Sequence, residues 1–407
     1  MPQLPLVHRG IISRKLKTMV YVLEGLNSLA TTYFYYYLYF YTQSRFNFQA
    51  LQNLGLASFL GFVYAGGSFF GGRLAQRFGY FTSIRLGVLV MAVAFVSCGQ
   101  APSLWLAVAF TLTGSLGMCC TWPAMEALVS EGEPPARLQG LVGIYNFVWA
   151  VSAAFAFFTG GAMLEHWGMS SMFLFPAAIL LVELLLVLRL ERAVSSPSAA
   201  QPAPPLPLLH AEKESYKSPV APRTFLKMAW VANPMAYLAI NTIISTVPTL
   251  ARGLKLNPTH AGIVCSIWLF TRAAAFVALR LWTGWHYRFR FLAWAYAAMI
   301  LSFAGMMLAP QVWLLILSQA AFGLTVGLIY YSSLFYSMDV GETKGEHGGM
   351  HEAVIGLGNG TGPAIAALAL ACFPKHLGSG AIADCLVLTA GLVVLLWIRF
   401  KAQPSSR

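Results

Sequence analysis

Residues 51–99 read LQNLGLASFLGFVYAGGSFFGGRLAQRFGYFTSIRLGVLVMAVAFVSCG. Two apolar runs, 51–74 and 82–99, flank a short basic segment that holds Arg73 and Arg77. A helix needs about 20 apolar residues to cross a hydrocarbon layer of about 30 Å. Both runs meet that length, and so short a connection makes them antiparallel neighbours. This is the repeating unit of a polytopic helical membrane protein.

Working outward, the same unit recurs along the whole chain. Twelve apolar stretches stand at 18–41, 51–74, 82–99, 103–129, 138–162, 169–190, 224–250, 258–282, 289–309, 311–337, 348–373 and 378–399. Pro102 and Pro310 mark the shortest connections, third to fourth and ninth to tenth. Of the 407 residues, 58% are hydrophobic and 10% charged. A soluble domain carries about 25% charged residues, so this chain is solvated mainly by lipid and an ordinary soluble domain is excluded.

The net charge of +12 is decided by where the charges fall. Place the basic N-terminus (Arg9, Arg14, Lys15, Lys17) in the cytoplasm and alternate the stretches. The inner segments then hold 21 of the 26 lysines and arginines. The outer segments hold Arg45, Arg252, Lys255 and Lys375, and Arg272 lies within a stretch. That asymmetry follows the positive-inside rule and puts both termini in the cytoplasm. The basic excess is a topology signal, and nucleic acid is not an expected partner.

No cleavable signal peptide is read at the N-terminus, and a plasma membrane, specifically a bacterial inner membrane, is the expected location. All six cysteines lie in apolar stretches without a CxxC pair, so neither a disulfide framework nor a zinc ribbon is indicated. No metal or cofactor is expected, and the chain is expected to work as a monomer.

Residues 191–222 are rich in Pro, Ser and Ala and cannot bury a core, which predicts a flexible cytoplasmic linker. It divides the chain into a bundle at 1–190 and a bundle at 223–407, six spans each. Sliding the chain by 210 residues brings Gly117 onto Gly327, His166 onto His376 and Gly168 onto Gly378. With matching spans around a central linker, this predicts an internal duplication.

The segment Gly72-Arg73-Leu74-Ala75-Gln76-Arg77-Phe78-Gly79 resembles the loop signature of the major facilitator superfamily. Gly72, Leu74, Ala75, Arg77 and Gly79 match it, at the second-to-third-span loop where the family carries it. Gln76 replaces the family's acidic residue, and Tyr80-Phe81 its trailing basic pair. The resemblance in span count, linker and repeat covers the whole chain. It implies an all-α membrane fold of two pseudo-symmetric six-helix bundles and a secondary transporter working by alternating access. It also implies a conformational latch at this loop, with Arg73 and Arg77 and with Glu126 as their carboxylate partner. Gly358-Asn359-Gly360-Thr361-Gly362-Pro363 is similar to the Gly-x-x-x-Gly-Pro of proton-driven exporters, but stands in the eleventh span instead of the fifth. Gly358, Gly362 and Pro363 read either as tight packing or as a second conformational element. The exporters' fourth-span arginine is missing, which counts against drug export.

Charge deep in a membrane is costly and usually functional. Arg272 lies about 21 Å into the eighth span at 1.5 Å per residue, near mid-membrane. Trp268 precedes it by one turn, and the two are expected to hold an anionic group and a ring; the competing reading is a buried ion pair with Glu24. Glu24, two turns into the first span, is the candidate proton carrier. Asn27 and Tyr35 share nearly its face, although the run of tyrosines at 33–41 reads mainly as an aromatic belt. Asn146, Trp149, Asn241, Gln319, Tyr330 and Asn359 are further candidate substrate contacts, each competing with a role as polar glue between helices. Glu183 and Asp384 have no assigned role. His347 and His351 are four residues apart, but HGGMH is not the HExxH of zinc hydrolases.

The residues therefore point to a secondary transporter of a small organic solute, anionic or polar, with protons as the expected coupling ion. No Walker loop is present to use ATP. A hydrophobic-drug exporter is the alternative of the same kind. A membrane-embedded transferase built on His347, His351 and Glu352, or a non-transporting sensor acting through the linker, are the alternatives of another kind.

Overall fold

The computed structural model describes residues 14–130, 135–194, 220–340, 345–376 and 378–402. Thirteen helices follow one another in the described residues. The first six are α1 (Arg14–Phe46), α2 (Ala50–Phe78), α3 (Tyr80–Gly99), α4 (Leu104–Ser130), α5 (Pro135–Trp167) and α6 (Ser171–Val194). The others are α7 (Pro222–Gly253), α8 (Pro258–Cys265), α9 (Ile267–Leu281), α10 (Phe289–Met307), α11 (Val312–Val340), α12 (Gly345–Cys372) and α13 (Ser379–Lys401). With α8 and α9 taken as one span, eleven are long and apolar enough to cross a membrane. The twelfth, α1, has 33 residues, about 50 Å of helix. Its Glu24, Asn27, Thr31 and Thr32 lower its hydropathy because it is packed inside the protein, where all four are buried.

The linker is shorter than expected at its start. α6 continues to Val194, and α7 begins at Pro222, a residue favoured at a first helical turn because its missing N–H is not needed there. Residues 195–219 lie outside the described residues. The connections at Pro102 and Pro310 are short turns as expected. The α2–α3 corner is a single residue, Gly79, at φ +91°, a conformation that glycine adopts without steric cost.

The two bundles repeat one plan. In the first, α2 packs on α4 and α1 on α6; in the second, α9 packs on α11 and α7 on α13. Each α1–α6 type of contact is tied by a fully buried carboxyl group. Asn27 Nδ2 donates to Glu183 at 3.2 and 3.3 Å. Thr242 Oγ1 donates to Asp384 Oδ2 at 2.7 Å. Polar pairs of this kind hold helices together where lipid offers no hydrophobic driving force, and they give Glu183 and Asp384 a structural place.

Two seams join the bundles: α2 on α12, and α5 on α8 and α9. Small residues allow both. A methyl group on Gly61 would stand 2.6 Å from the Gly360 Cα, and one on Gly349 3.2 Å from the Gly72 Cα. Gly358 and Gly362 face the other way, against the backbone of Pro234 and Leu238 on α7. The glycine run of α12 thus serves close packing on two sides, and the helix continues through Pro363 to Cys372. At the second seam, a methyl on Gly161 would stand 2.5 Å from the Pro258 carbonyl carbon.

The eighth span runs as one 24-residue span, Pro258–Leu281, with a local irregularity at Ser266, whose backbone stays α-helical at φ −85° and ψ −10°. Ser266 Oγ donates to the Ile263 carbonyl at 2.9 Å. Gln319 Nε2 of α11 donates to the Val264 carbonyl at 2.9 Å, satisfying a carbonyl at this irregularity. α8 packs mainly on α5 of the first bundle and α9 mainly on α11 of the second.

Candidate functional site

Between the bundles lies a cavity of about 160 Å³. Helix periodicity builds it. Glu24, Thr31 and Tyr35 recur along one face of α1 at i, i+7 and i+11; Tyr145, Asn146 and Trp149 do so on α5 and Tyr237 and Asn241 on α7; Glu352, Ile355 and Asn359 do so on α12. α2 contributes Tyr64, α4 Trp122 and Glu126, α9 Arg272 and α11 Tyr330.

Arg272 is 1% exposed. Its guanidinium carbon lies 4.5 Å from the Trp149 ring centroid and 4.9 Å from that of Tyr330. Tyr237 and Phe276 complete the aromatic surround at 5.5 and 5.6 Å. Nη2 donates to the Tyr237 hydroxyl at 3.1 Å, while Nε has no hydrogen-bond partner. Among the described residues no carboxylate comes within ion-pair distance of it, so the competing reading, an ion pair with Glu24, is not formed. The rings hold the charge in place by cation–π attraction and leave it available to a ligand.

The other wall is acidic. Glu24 is fully buried and accepts from Ser28 Oγ at 2.7 Å, and its Oε2 has no partner. The Tyr145 hydroxyl and the Trp122 indole N–H approach it without reaching hydrogen-bond geometry, and both are likewise unpartnered. Glu352 accepts from the Tyr64 hydroxyl at 2.6 Å. Glu126 lines the same cavity. Three carboxyl groups thus share one wall, and among the described residues none forms an ion pair.

Seven of the ten candidate substrate contacts line the cavity: Arg272, Tyr35, Asn146, Trp149, Asn241, Tyr330 and Asn359. Several meet across it. The Tyr330 hydroxyl donates to Asn146 Oδ1 at 3.1 Å, and Asn241 donates to Asn359. Three candidates lie elsewhere. Asn27 sits about 60° round α1 from Glu24, at 100° per residue, and faces Glu183 on α6. Trp268 is turned onto Phe322 of α11, 5.9 Å between ring centroids. Gln319 serves the irregularity in the eighth span.

The arginine latch is not joined to Glu126. Arg73 lies over the Phe69 ring at 4.1 Å and Arg77 over Phe78 at 5.4 Å, both at the exposed end of α2. Glu126 points into the cavity instead. The cavity tyrosines Tyr64, Tyr145 and Tyr237 escaped sequence reading because seventeen tyrosines offer no signal that singles these out. Glu352 was noticed only beside His351. The side chain of His347 lies outside the described residues, and among those described no group of three His, Cys, Asp or Glu could hold a metal.

Two bundles of six spans around a central polar cavity are the arrangement of a two-fold repeated helical membrane fold. The sequence profile of the Major Facilitator Superfamily matches residues 19–237, and the chain belongs to that family. It is 32% identical over 121 residues to the niacin transporter NiaP of Acinetobacter baylyi, covering 28% of this chain and 26% of that protein. It is 28% identical over 131 residues to the tetracenomycin C resistance and export protein of Streptomyces glaucescens, covering 31% of this chain and 24% of that one. Each match spans about a quarter of the relative's length. The human organic anion transporter MFSD10 (TETRAN) has a similar fold, with a TM-score of 0.63 and 13% identity over 97% of this chain and all of that one.

Proposed function

We propose that the chain carries a small organic anion across the membrane by alternating access, with its anionic group on Arg272 and its apolar body among the surrounding rings. The observation that supports this most is the buried Arg272 guanidinium, faced by four aromatic rings and, among the described residues, paired with no carboxylate. An apolar cavity of about 150 Å³ takes one benzene, so the cavity here suits a molecule built on a single ring. A niacin transporter among the relatives fits that size and charge. Protons are the proposed coupling ion, with Glu24, Glu126 and Glu352 as the groups able to take them up and release them, beside Tyr64, Tyr145 and His351. The basic ends of the helices would face the cytoplasm, with both termini, in a bacterial inner membrane, and one chain would suffice.

The test is thermal stabilisation of the purified protein by benzoate, nicotinate and tetraphenylphosphonium, on wild type and Arg272→Ala. An anion at 100 times its dissociation constant should stabilise the wild type by about 2.7 kcal/mol and leave the variant unmoved. Equal stabilisation of both proteins by the lipophilic cation, with none by the anions, would make Arg272 structural and favour the exporter reading.

A further inference from the structure

The cavity has two poles. Arg272 stands at one, and Glu24, Glu126 and Glu352 at the other. α5 carries one landmark for each. Trp149 lies under the guanidinium, and Tyr145, four residues earlier, lies beside Glu24. One turn of helix separates these landmarks, about 6 Å, which is the reach of a single six-membered ring.

Both poles are unfinished. A buried polar atom without a partner is costly, and native proteins leave few of them. Here the Arg272 Nε, the Glu24 Oε2 and the hydroxyl of Tyr145, a residue 4% exposed, all lack one, and all belong to cavity-lining side chains. Arg272 supplies only donors. The three carboxylates of the other pole supply only acceptors when ionised, and the Tyr145 hydroxyl and Trp122 N–H beside Glu24 can satisfy only part of them. A ligand that satisfies both must be an acceptor at one end and a donor at the other. A simple anion would complete the Arg272 pole alone and leave the acidic wall facing its apolar end.

We propose that the acidic wall is a second substrate pole, and that the substrate is an amphoteric single-ring compound. Its anionic group sits on Arg272, and a cationic or N–H-rich group on the far side of the ring sits against Glu24, Glu126 and Glu352. The proposal rests on the anion reading above and adds the second contact. Charge-assisted hydrogen bonds at each end fix the ligand's direction, and the ring fills the space between Trp149, Tyr237 and Tyr330.

Three probes test it by calorimetry on the purified full-length protein at neutral pH: benzoate, benzylamine and 4-(aminomethyl)benzoate. The bifunctional probe is expected to bind at least tenfold more tightly than either of the others. Glu352→Gln and Glu126→Gln are each expected to cut the ratio of its affinity to that of benzoate below threefold. The wild-type series needs no variant, so a variant that fails to fold does not spoil the test. Equal binding of benzoate and the bifunctional probe, both requiring Arg272, overturns the second pole and keeps the anion reading. Binding of none of the three overturns both.

Discussion

Gly161→Ala tests whether the α5–α8 seam is a closing contact or mere proximity. The added methyl would lie 2.5 Å from the Pro258 carbonyl carbon and 2.9 Å from the Thr259 Cα. Carbon atoms pack best at about 3.5–4.0 Å, so the two helices must part by about 1 Å. These two atoms and the nearer Pro258 carbonyl oxygen are all backbone, so no side-chain rotation relieves the clash. Overpacking of this size costs about 1–3 kcal/mol. If the seam opens and closes during transport, the whole cost falls on the closed state, and the ratio of open to closed molecules rises roughly 5-fold to 150-fold. The assay is the distance between spin labels at positions 167 and 255, both exposed beside the seam, in a protein whose native cysteines have been replaced. A longer-distance population should grow in Gly161→Ala. Gly66→Ala is the control, since a methyl there meets nothing within 4 Å. An unchanged distance distribution in Gly161→Ala, with unchanged melting, would refute the argument.

Three further expectations can be checked on the same material. Arg272→Lys keeps the charge but loses the flat guanidinium that lies over Trp149 and Tyr330; a desolvated cation–π contact is worth about 2 kcal/mol, so the benzoate dissociation constant should rise at least tenfold, and equal affinity would show that the rings play no part. Asn27→Ala leaves the buried Glu183 carboxyl without its donor and should cost about 1–3 kcal/mol of stability, read as a lower melting temperature, while benzoate affinity stays within twofold. His286, in the short connection between α9 and α10, is stacked on Phe335, and burial lowers its pKa to about 4 despite the opposing pull of Asp339. The unfolded chain therefore takes up this proton first as pH falls through about 6.5, so the contribution to stability is complete above that pH and lost progressively down to about 4. His286→Phe should flatten the fall in melting temperature between pH 7 and 4.5, and an identical acid profile would exclude His286 as its source.

Span count and the twofold plan were legible because each depends on many residues at once. The hydrocarbon thickness fixes the length of every span, and Gly79 marks the α2–α3 corner by its chemistry alone. The lining of the cavity was legible only in part. Arg272 stood out because a charge at mid-membrane is so costly, and Trp149, Asn146 and Tyr330 followed from their spans. Rotation about each helix axis was not legible. Asn27 lies only about 60° from the cavity stripe and that small angle sends it to α6. Trp268 lies about 40° from Arg272 on the same helix, and that small angle turns it onto Phe322 of α11. Glu126 was assigned to the arginines of α2 by its depth, which sequence gives, instead of its facing, which packing decides.

The irregularity at Ser266 lies where one span passes from one bundle to the other. The span's first eight residues ride with α5, and the fifteen that follow, with Arg272 among them, ride with α11. Any relative rotation of the bundles would bend this helix at Ser266, a turn and a half from the Arg272 guanidinium. Displacement of the seam at one end would then turn Arg272 at the other, in the manner of a short crank. If the proposed anion sits on Arg272, closure of the seam and grip on the anion would be linked through one helix, with no separate relay between them.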